Sequence, residues 1–208
     1  MDSRGALERR LQSLAGFADP RAEREQYPTP ADVAAHLLHV ADLRGDLAGT
    51  VLDLGTGTGV LALGAALRGA AGVVGIDVDV GALATARENE RRVEPPTSVD
   101  WLRGDATRPP LRPTEATVVM NPPFGAQAGN AHADRAFLAA AAAVGTVSYS
   151  IHNAGSRAFV ESFAADRGGE VTDAFAVELD LDRQFPFHER ERASIDAEAF
   201  RIAWGQPR

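Results

Sequence analysis

Apolar positions along the chain first recur at a helical spacing and then fall into alternating strand-like and helix-like runs. Residues 4–17 predict a short amphipathic helix. Its apolar face comprises Leu7, Leu11, Leu14 and Ala15. A second stripe over residues 33–41 predicts another helix, with Thr29 as its expected N-cap and Pro30 as its first residue. From Thr50 onward, short apolar runs alternate with helical patterns, which favours a mostly parallel sheet.

The alternating region predicts a single α/β domain. The predicted strands are 50–54, 72–77, 98–104, 116–120, 146–151, 170–181 and 192–204, and the predicted helices are 60–68, 80–92, 133–144 and 156–167. The last two strands follow each other without a helix, which fits a C-terminal antiparallel strand pair and differs from a plain dinucleotide-binding fold. We therefore expect a seven-stranded, mostly parallel sheet with helices on both faces. One domain would span residues 1–208, with 1–45 as a helical extension over the ligand site.

The composition excludes several classes of chemistry. The chain of 208 residues has no cysteine, which excludes disulfides, thiol nucleophiles, thiolate zinc sites and iron–sulfur clusters. It has no apolar run of about 18 residues, so no membrane span is expected. The charged N-terminus does not resemble a signal peptide, and a cytoplasmic location is expected.

The charge balance is unusual, because the net charge is −8 and all 21 basic residues are arginine. A GC-rich genome explains abundant alanine and arginine, but it does not explain the acidic excess. We therefore favour a protein adapted to a salt-rich, halophilic cytoplasm. At first sight this charge argues against a nucleic-acid partner.

A glycine loop follows the first predicted strand. Gly55, Gly57 and Gly59 form a G-x-G-x-G pattern preceded by Asp53. In an open α/β sheet this loop lies where ligands bind. The dinucleotide pattern is G-x-G-x-x-G, and a carboxylate beside a pyrophosphate would be repelled. Beside the sulfonium and amino group of S-adenosylmethionine, Asp53 would be favourable. A purely structural glycine turn remains the alternative.

Two further acids follow the next strands. Asp77 ends the second strand and is suited to accept hydrogen bonds from both ribose hydroxyls of such a cofactor. Asp105 follows the third strand, and its carboxylate can accept from an adenine amino group while the Ala106 N–H reaches a ring nitrogen. Taken alone, Asp105 is better explained as a loop cap, but after Asp53 and Asp77 at successive strand ends the ligand role is favoured.

The fourth strand ends in Asn121-Pro122-Pro123-Phe124, called here the tetrad. Asn-Pro commonly makes a turn, which is the simplest explanation. However, an aromatic amine is a poor nucleophile, and two acceptors can hold it: the Asn121 side-chain oxygen and the Pro122 carbonyl. Pro123 stiffens the backbone, and Phe124 offers a stacking face worth on the order of 1–3 kcal/mol. Much of the catalysis would then be positioning of the reacting groups.

With these motifs the chain resembles the methyltransferase-like protein 5 family, the small-subunit ribosomal RNA adenosine N6-methyltransferases. The matching segments are Glu25–Thr29 (EQYPT), Asp53–Leu61 (DLGTGTGVL), Gly75–Asp79 (GIDVD), Met120–Gly125 (MNPPFG), Asp134–Leu138 (DRAFL), Tyr149–His152 (YSIH) and Phe187–His188 (FH). The resemblance implies a class I Rossmann-like methyltransferase with S-adenosyl-L-methionine as cofactor. This chain differs from some relatives in having Thr56 and Thr58 where they carry cysteines. Backbone contacts to the cofactor would survive that change.

The resemblance also implies roles for individual residues. It assigns to the cofactor Gln26, Thr29, Gly55, Thr58, Val60, Asp77, Asp105 and Ala106. It further implies a small zinc-containing activator subunit bound at a strand edge, which we place at residues 72–77.

The remaining candidates are weaker. His152 and His188 are not in a metal-ligand pattern, so no metal is expected; Phe187 and His188 are candidate contacts to the target base, with loop packing as the alternative. Four arginines near the C-terminal end of the sequence either contact RNA phosphates or lie on a solvent-exposed surface: Arg183, Arg190, Arg192 and Arg201. The sequence thus predicts methyl transfer to adenosine N6 in RNA. The alternatives are a release-factor glutamine methyltransferase, a non-catalytic cofactor-binding scaffold, and DNA adenine methylation.

Overall fold

The sheet carries the predicted seven strands. In this computed structural model, which describes residues 3–21, 23, 25–112, 115–124, 133–182 and 192–205, the strand order is β3-β2-β1-β4-β5-β7-β6. The strands are β1 Thr50–Leu54, β2 Gly72–Asp77, β3 Val99–Arg103, β4 Ala116–Met120, β5 Gly145–Asn153, β6 Glu170–Asp182 and β7 Arg192–Ala203. Strand β7 pairs antiparallel with both β5 and β6, whereas β1 to β5 pair in parallel. The predicted antiparallel C-terminal pair is therefore confirmed.

Helices cover both faces of the sheet, as predicted. They are α1 Arg4–Leu11, α2 Ala31–Leu43, α3 Val60–Leu67, α4 Val80–Val93, α5 Ala133–Val144 and α6 Arg157–Ala165. One buried apolar cluster joins α1, α2 and α3 to the sheet, and a second joins α5 and α6 to the opposite face. Strand β4 is buried along its whole length, as expected for a central strand between two helical layers. Within the described residues, no helix is both long and apolar enough to cross a bilayer.

The predicted bounds of β1, β2, β4 and α5 agree with the structure, but two N-terminal predictions are wrong. Helix α1 ends at Leu11 instead of reaching residue 17, because Ala15 leaves the helix and hydrogen-bonds with the side chain of Asn89. The N-cap of α2 is Pro30 and not Thr29, and it makes no side-chain capping bond. The hydroxyl of Thr29 is used elsewhere, as described below.

The prediction that β2 is an exposed edge is also wrong. Residues 72–76 of β2 pair with β1, and residues 73–77 pair with β3, so the backbone of β2 is satisfied on both sides. A partner that adds a strand needs unpaired backbone groups, and the edges of this sheet are β3 and β6.

Candidate active site

Three adjoining cavities lie at the carboxyl ends of the parallel strands, as expected for an open α/β sheet. The main cavity, of about 270 Å³, is lined by Phe17, Glu25, Gln26, Tyr27, Gly55, Gly57, Asp77, Val78, Asp105, Ala106, Thr107, Asn121, Pro123 and Phe137. The smaller loop cavity includes Thr29, Asp53, Thr58 and Val60, and the tetrad cavity includes Pro28, Pro30, Leu179 and all four tetrad residues. Asn121 borders all three cavities.

The glycine loop needs glycine for two physical reasons. Gly55, Gly57 and Gly59 all have positive φ, at +74°, +53° and +89°, a region that other residues enter only with strain. A Cβ on Gly57 would also lie 2.9 Å from the Phe17 ring, and one on Gly59 would lie 2.7 Å from the Trp101 ring. Gly55 and Gly57 line the main cavity, whereas Gly59 packs against Trp101 and lines neither the main nor the loop cavity.

Asp53 lies beneath this loop and is almost completely buried. Its Oδ2 accepts hydrogen bonds from the Thr56 hydroxyl at 2.6 Å and from the Ala62 N–H at 2.9 Å. Burial raises the pKa of the carboxyl to about 7, although these two hydrogen bonds oppose the shift. Asp53 therefore joins the loop to the first turn of α3 and borders the loop cavity.

Asp77 supports the same loop from the next strand. Its Oδ2 accepts from the Gly57 N–H at 2.8 Å, and its Oδ1 accepts from the Asp79 N–H at 2.8 Å. Asp77 also borders the main cavity.

Asp105 caps its own loop and also borders the main cavity. Its Oδ1 accepts from both the N–H and the hydroxyl of Thr107, at 2.9 and 2.7 Å, and so caps the loop. Asp105, Ala106 and Thr107 nevertheless all line the main cavity.

The segment between α1 and α2, called here the α1–α2 segment, forms one wall of the cavities. Gln26 is buried, donates to Asp79 Oδ2 at 2.9 Å and accepts from the Arg21 N–H at 2.9 Å. Asp79 is the N-cap of α4, so Gln26 ties this wall to the end of β2. Tyr27 lines all three cavities, and burial and the nearby Glu25 raise the pKa of its hydroxyl.

The tetrad is fixed by contacts on both sides. The Asn121 Nδ2 donates to the Thr29 hydroxyl at 3.1 Å. The Phe124 N–H donates to Glu25 Oε2 at 2.7 Å, and its carbonyl accepts from Asn153 Nδ2 at 3.2 Å. The Oδ1 of Asn121 is buried and has no hydrogen-bond partner among the described residues. A buried acceptor without a partner is costly, so its presence in a cavity wall points to a donor on a ligand.

The charges around the main cavity fit a cationic ligand. Among the described residues, its lining contains the carboxylates of Glu25, Asp77 and Asp105 and no arginine or histidine. Such a wall repels a pyrophosphate and attracts a sulfonium and an ammonium group. The residues present therefore fit S-adenosylmethionine and do not fit a nicotinamide dinucleotide.

Sequence reasoning missed several residues of this site. Phe17, Phe137 and Thr107 line the main cavity, and Asn89 holds the loop from behind by donating to the Thr58 carbonyl at 3.0 Å. An aromatic on an N-terminal loop gives no local signal of where it packs. Asn89 is the exception, because a polar residue on the apolar face of a predicted helix invites a search for partners.

Other candidates lie away from the cavities or outside the described residues. His152 is buried, contacts the Ser150 hydroxyl at 2.9 Å and has a pKa lowered by burial to about 4, so it is neutral and structural. Arg201 forms two hydrogen bonds with the Asp46 carboxylate, at 2.8 and 3.1 Å, which engages its guanidinium within the fold.

Candidates outside the described residues are Arg183, Phe187, His188 and Arg190. No group of His, Asp or Glu that could hold a metal occurs within the described part of the chain.

Strand order, glycine loop and acidic cavity together define a class I S-adenosylmethionine-dependent methyltransferase. A family model, the methyltransferase small domain, matches residues 29–146 of the chain. Those residues include the glycine loop, both later acids and the tetrad.

Relatives of nearly the same length narrow this class. The rRNA N(6)-adenosine-methyltransferase Mettl5 of Drosophila melanogaster is 33% identical over 208 residues, covering 96% of this chain and 95% of the relative. Protein MJ0284 of Methanocaldococcus jannaschii, named as uncharacterized, is 34% identical over 94% of this chain and 92% of its own. The solved structure of PH1948 from Pyrococcus horikoshii, described as a candidate RNA methyltransferase, is 36% identical with a TM-score of 0.85 and covers 98% of both chains. The chain belongs to the METTL5 family of methyltransferases.

Proposed function

We propose that this protein transfers a methyl group from S-adenosylmethionine to N6 of an adenosine in small-subunit ribosomal RNA, in the cytoplasm. The observation that carries the proposal is the buried Oδ1 of Asn121, an acceptor without a partner among the described residues at the meeting point of three cavities. An exocyclic amine is a donor of the kind that this oxygen needs.

The residues of this chain divide the task between two neighbouring sites. S-adenosylmethionine, when bound, supplies an electrophilic methyl group. Gly55 and Gly57 allow close backbone approach, and Asp77 and Asp105 supply acceptors for ribose and adenine. Gln26, Thr29, Asp53, Thr58 and Val60 would surround the methionine part, with Gly59 shaping the loop from behind.

The tetrad would hold the target base. Asn121 Oδ1 and the Pro122 carbonyl accept from the two N–H bonds of the amine, which orients its lone pair towards the cofactor site. Phe124 provides the stacking face for the ring. No strong base is needed, because the nitrogen becomes acidic as it gains the methyl group. Phe187 and His188 are proposed contacts to the base or its flank.

A protein substrate is the main competing possibility, since a glutamine amide also presents two N–H bonds. Ribosomal protein L11 methyltransferases resemble this chain over only 20–32% of its length. The rRNA N(6)-adenosine-methyltransferases of fly, zebrafish and nematode match 89–96% of it. Similarity over the whole chain, including the part that forms the tetrad wall, favours the RNA substrate.

The substrate can be tested by methyl transfer from labelled S-adenosylmethionine. Small-subunit RNA, large-subunit RNA and a release factor would be incubated separately with the purified protein. We expect label in small-subunit RNA, and none with Asn121→Ala, which should still bind the cofactor. Label confined to the release factor would refute the RNA assignment, and label in large-subunit RNA would refute the subunit assignment.

We also propose that a small zinc-containing activator subunit binds at β3, the sheet edge nearest the main cavity. Strand β3 ends at Arg103, just before Asp105 and Ala106. Val78 and Val80, which follow the neighbouring strand β2, are large apolar residues with 49% and 54% of their surface exposed. A protein partner would cover such residues.

Light scattering with a candidate activator tests this surface. Wild type and Leu43→Glu, which changes an exposed residue at the end of α2, should form a 1:1 complex, whereas Val80→Glu should not. Equal complex formation by both variants would place the partner elsewhere.

A further inference from the structure

Phe124 is held at both of its backbone polar groups. Its N–H donates to Glu25 Oε2 at 2.7 Å, and its carbonyl accepts from Asn153 Nδ2 at 3.2 Å. Pro122 and Pro123, which precede it, have φ angles restricted by their rings. Contacts on both sides of the Phe124 Cα restrict its own φ and ψ as well. Together they fix the direction in which the aromatic side chain leaves the backbone.

The two anchors of Phe124 differ in what else they contact. Glu25 borders both the main cavity and the tetrad cavity, so its replacement would also disturb the cofactor site. Asn153 is the last residue of β5, is exposed and is not among the described residues that line the three cavities. Asn153 is therefore the anchor that can be changed without altering a cavity wall.

The polarity of the contact with Asn153 is unambiguous. A backbone carbonyl can only accept, so the Asn153 group that faces it has to be the amide nitrogen. The backbone of Asn153 pairs with Ala197 of β7, and β5 as a whole lies between β4 and β7. The side chain of Asn153 thus connects an inner strand of the sheet to the end of the tetrad.

We propose that Asn153 is a positioning residue for methyl transfer, whose amide holds the Phe124 ring in the orientation that stacks on the target base. The catalytic consequence rests on the proposed function, but the contact itself can be tested separately. Stacking requires the aromatic ring and the base to lie face to face. Without the Asn153 amide, Phe124 would be held from one side only, and its ring would spend less time in the stacking orientation.

Two substitutions and a control test the donor. Asn153→Ala removes it, Asn153→Gln retains an amide donor, and Ser156→Ala changes a neighbouring side chain that makes no capping hydrogen bond. With small-subunit RNA, we expect kcat/KM to fall roughly three- to tenfold in Asn153→Ala, mainly through KM, because part of the stacking energy is lost. Asn153→Gln and Ser156→Ala should stay within about twofold of wild type, with the Kd for S-adenosylmethionine unchanged throughout. Unchanged kcat/KM in Asn153→Ala, or an equal loss in Ser156→Ala, would overturn the proposal.

A double-mutant cycle with Phe124 separates positioning from other roles. Phe124→Leu has no aromatic ring to orient, so adding Asn153→Ala should lower kcat/KM by less than about twofold further. An equal loss from Asn153→Ala in both backgrounds would mean that Asn153 contacts RNA directly or only stabilises β5, and it would overturn the positioning role.

A readout without turnover distinguishes failure of this inference from failure of the proposed function. The backbone amide of Phe124, identified by comparison with Phe124→Leu, gives an NMR order parameter in the full chain without substrate. We expect about 0.85 in wild type and Asn153→Gln and a value at least about 0.1 lower in Asn153→Ala, with Met120 of β4 unchanged. Equal order parameters in all three proteins would overturn the positioning role. A lower value in Asn153→Ala, together with a wild type that does not methylate RNA, would refute the proposed substrate and leave the contact established.

Discussion

The carboxyl group of Asp53 combines a stabilising and a destabilising contribution in one side chain. Its two hydrogen bonds hold the glycine loop to α3, yet burial raises its pKa from 3.8 to about 7. A raised pKa means that the folded state binds the proton more tightly than the unfolded state. The stabilisation from this group is therefore complete below pH 3.8 and is lost as the pH rises through about 7.

Asp53→Asn should remove this pH dependence. Both hydrogen bonds go to the same oxygen, Oδ2, and an asparagine carbonyl in that position can accept both. Without cofactor, we expect the free energy of unfolding at pH 8 to exceed that of wild type by roughly 1–3 kcal/mol, with the difference vanishing near pH 4. Denaturant unfolding at several pH values measures this, with Asp100→Asn on exposed β3 as control.

The same variant should bind S-adenosylmethionine more weakly at pH 8, because a charge next to the loop cavity is lost. A variant no more stable than wild type at pH 8 would show that the pKa of Asp53 is not raised in the folded protein. Undiminished cofactor binding would show that its charge does not contribute to the loop cavity.

Individual residues differ in how well the sequence predicts them. Gly55, Asp77, Asp105 and Asn121 were found because each follows a predicted strand, where an open α/β sheet binds ligands. The sequence indicates Thr29 as a helix cap and, by resemblance, as a cofactor contact, but not its hydrogen bond to Asn121, which is 92 positions away in the chain. Long-range contacts of this kind leave no periodicity in the sequence.

At the scale of elements, α4 joins parts of the molecule that are distant in sequence. Asn89 of α4 is fully buried, donates to the carbonyls of Ala15 and Thr58, and accepts from the Ala15 N–H. It thereby joins the α1–α2 segment to the glycine loop. This contact also explains why the predicted extension of α1 to residue 17 is wrong: the apolar spacing continues, but a better partner captures the backbone.

Asn89→Ala should loosen this junction. The buried carbonyl of Thr58 and the partly buried N–H and carbonyl of Ala15 would lose their partner, so we expect a loss of roughly 2–4 kcal/mol in the free energy of unfolding. Limited proteolysis should then cut within residues 12–30 before the rest of the chain. Asn89→Asp, which keeps an acceptor for Ala15 but loses both donor bonds, should be intermediate or worse. Uniform digestion of Asn89→Ala across the chain would show that the junction does not stabilise this segment.

At the scale of the whole molecule, a net charge of −8 on a protein that binds RNA needs a physical explanation. At about 1 M salt the Debye length is roughly 3 Å, so long-range repulsion has little effect. Binding would then rely on short-range contacts, such as stacking and the bidentate hydrogen bonds of arginine. The acidic residues of the main cavity suit the cationic cofactor, so their charge needs no explanation through RNA binding.

The composition therefore predicts a stability that depends on salt. Mutual repulsion of surface acids should lower the melting temperature by several degrees between about 2 M and 0.1 M NaCl. Differential scanning calorimetry with NaCl and KCl at matched concentrations measures this directly. A melting temperature independent of salt would attribute the lack of lysine to genome composition, and it would leave the enzymatic assignment intact.

The fold as a whole was the easiest part to predict, because strand–helix alternation and a final strand pair restrict the possible topologies. The order of the strands across the sheet was harder to predict from the sequence. Residues 72–77 look like an edge in sequence, but β3 pairs outside them, and apolar alternation does not distinguish an inner strand from an outer one.

In the proposed function, Asn121 directs a methyl group to N6 of adenosine in ribosomal RNA. Its most direct test is nucleoside mass spectrometry of small-subunit RNA treated with wild type or with Asn121→Ala, at cofactor concentrations that saturate both proteins. We expect N6-methyladenosine from wild type and none from the variant, with equal Kd values for S-adenosylmethionine. A different methylated nucleoside, or equal N6-methyladenosine from both proteins, would contradict this account.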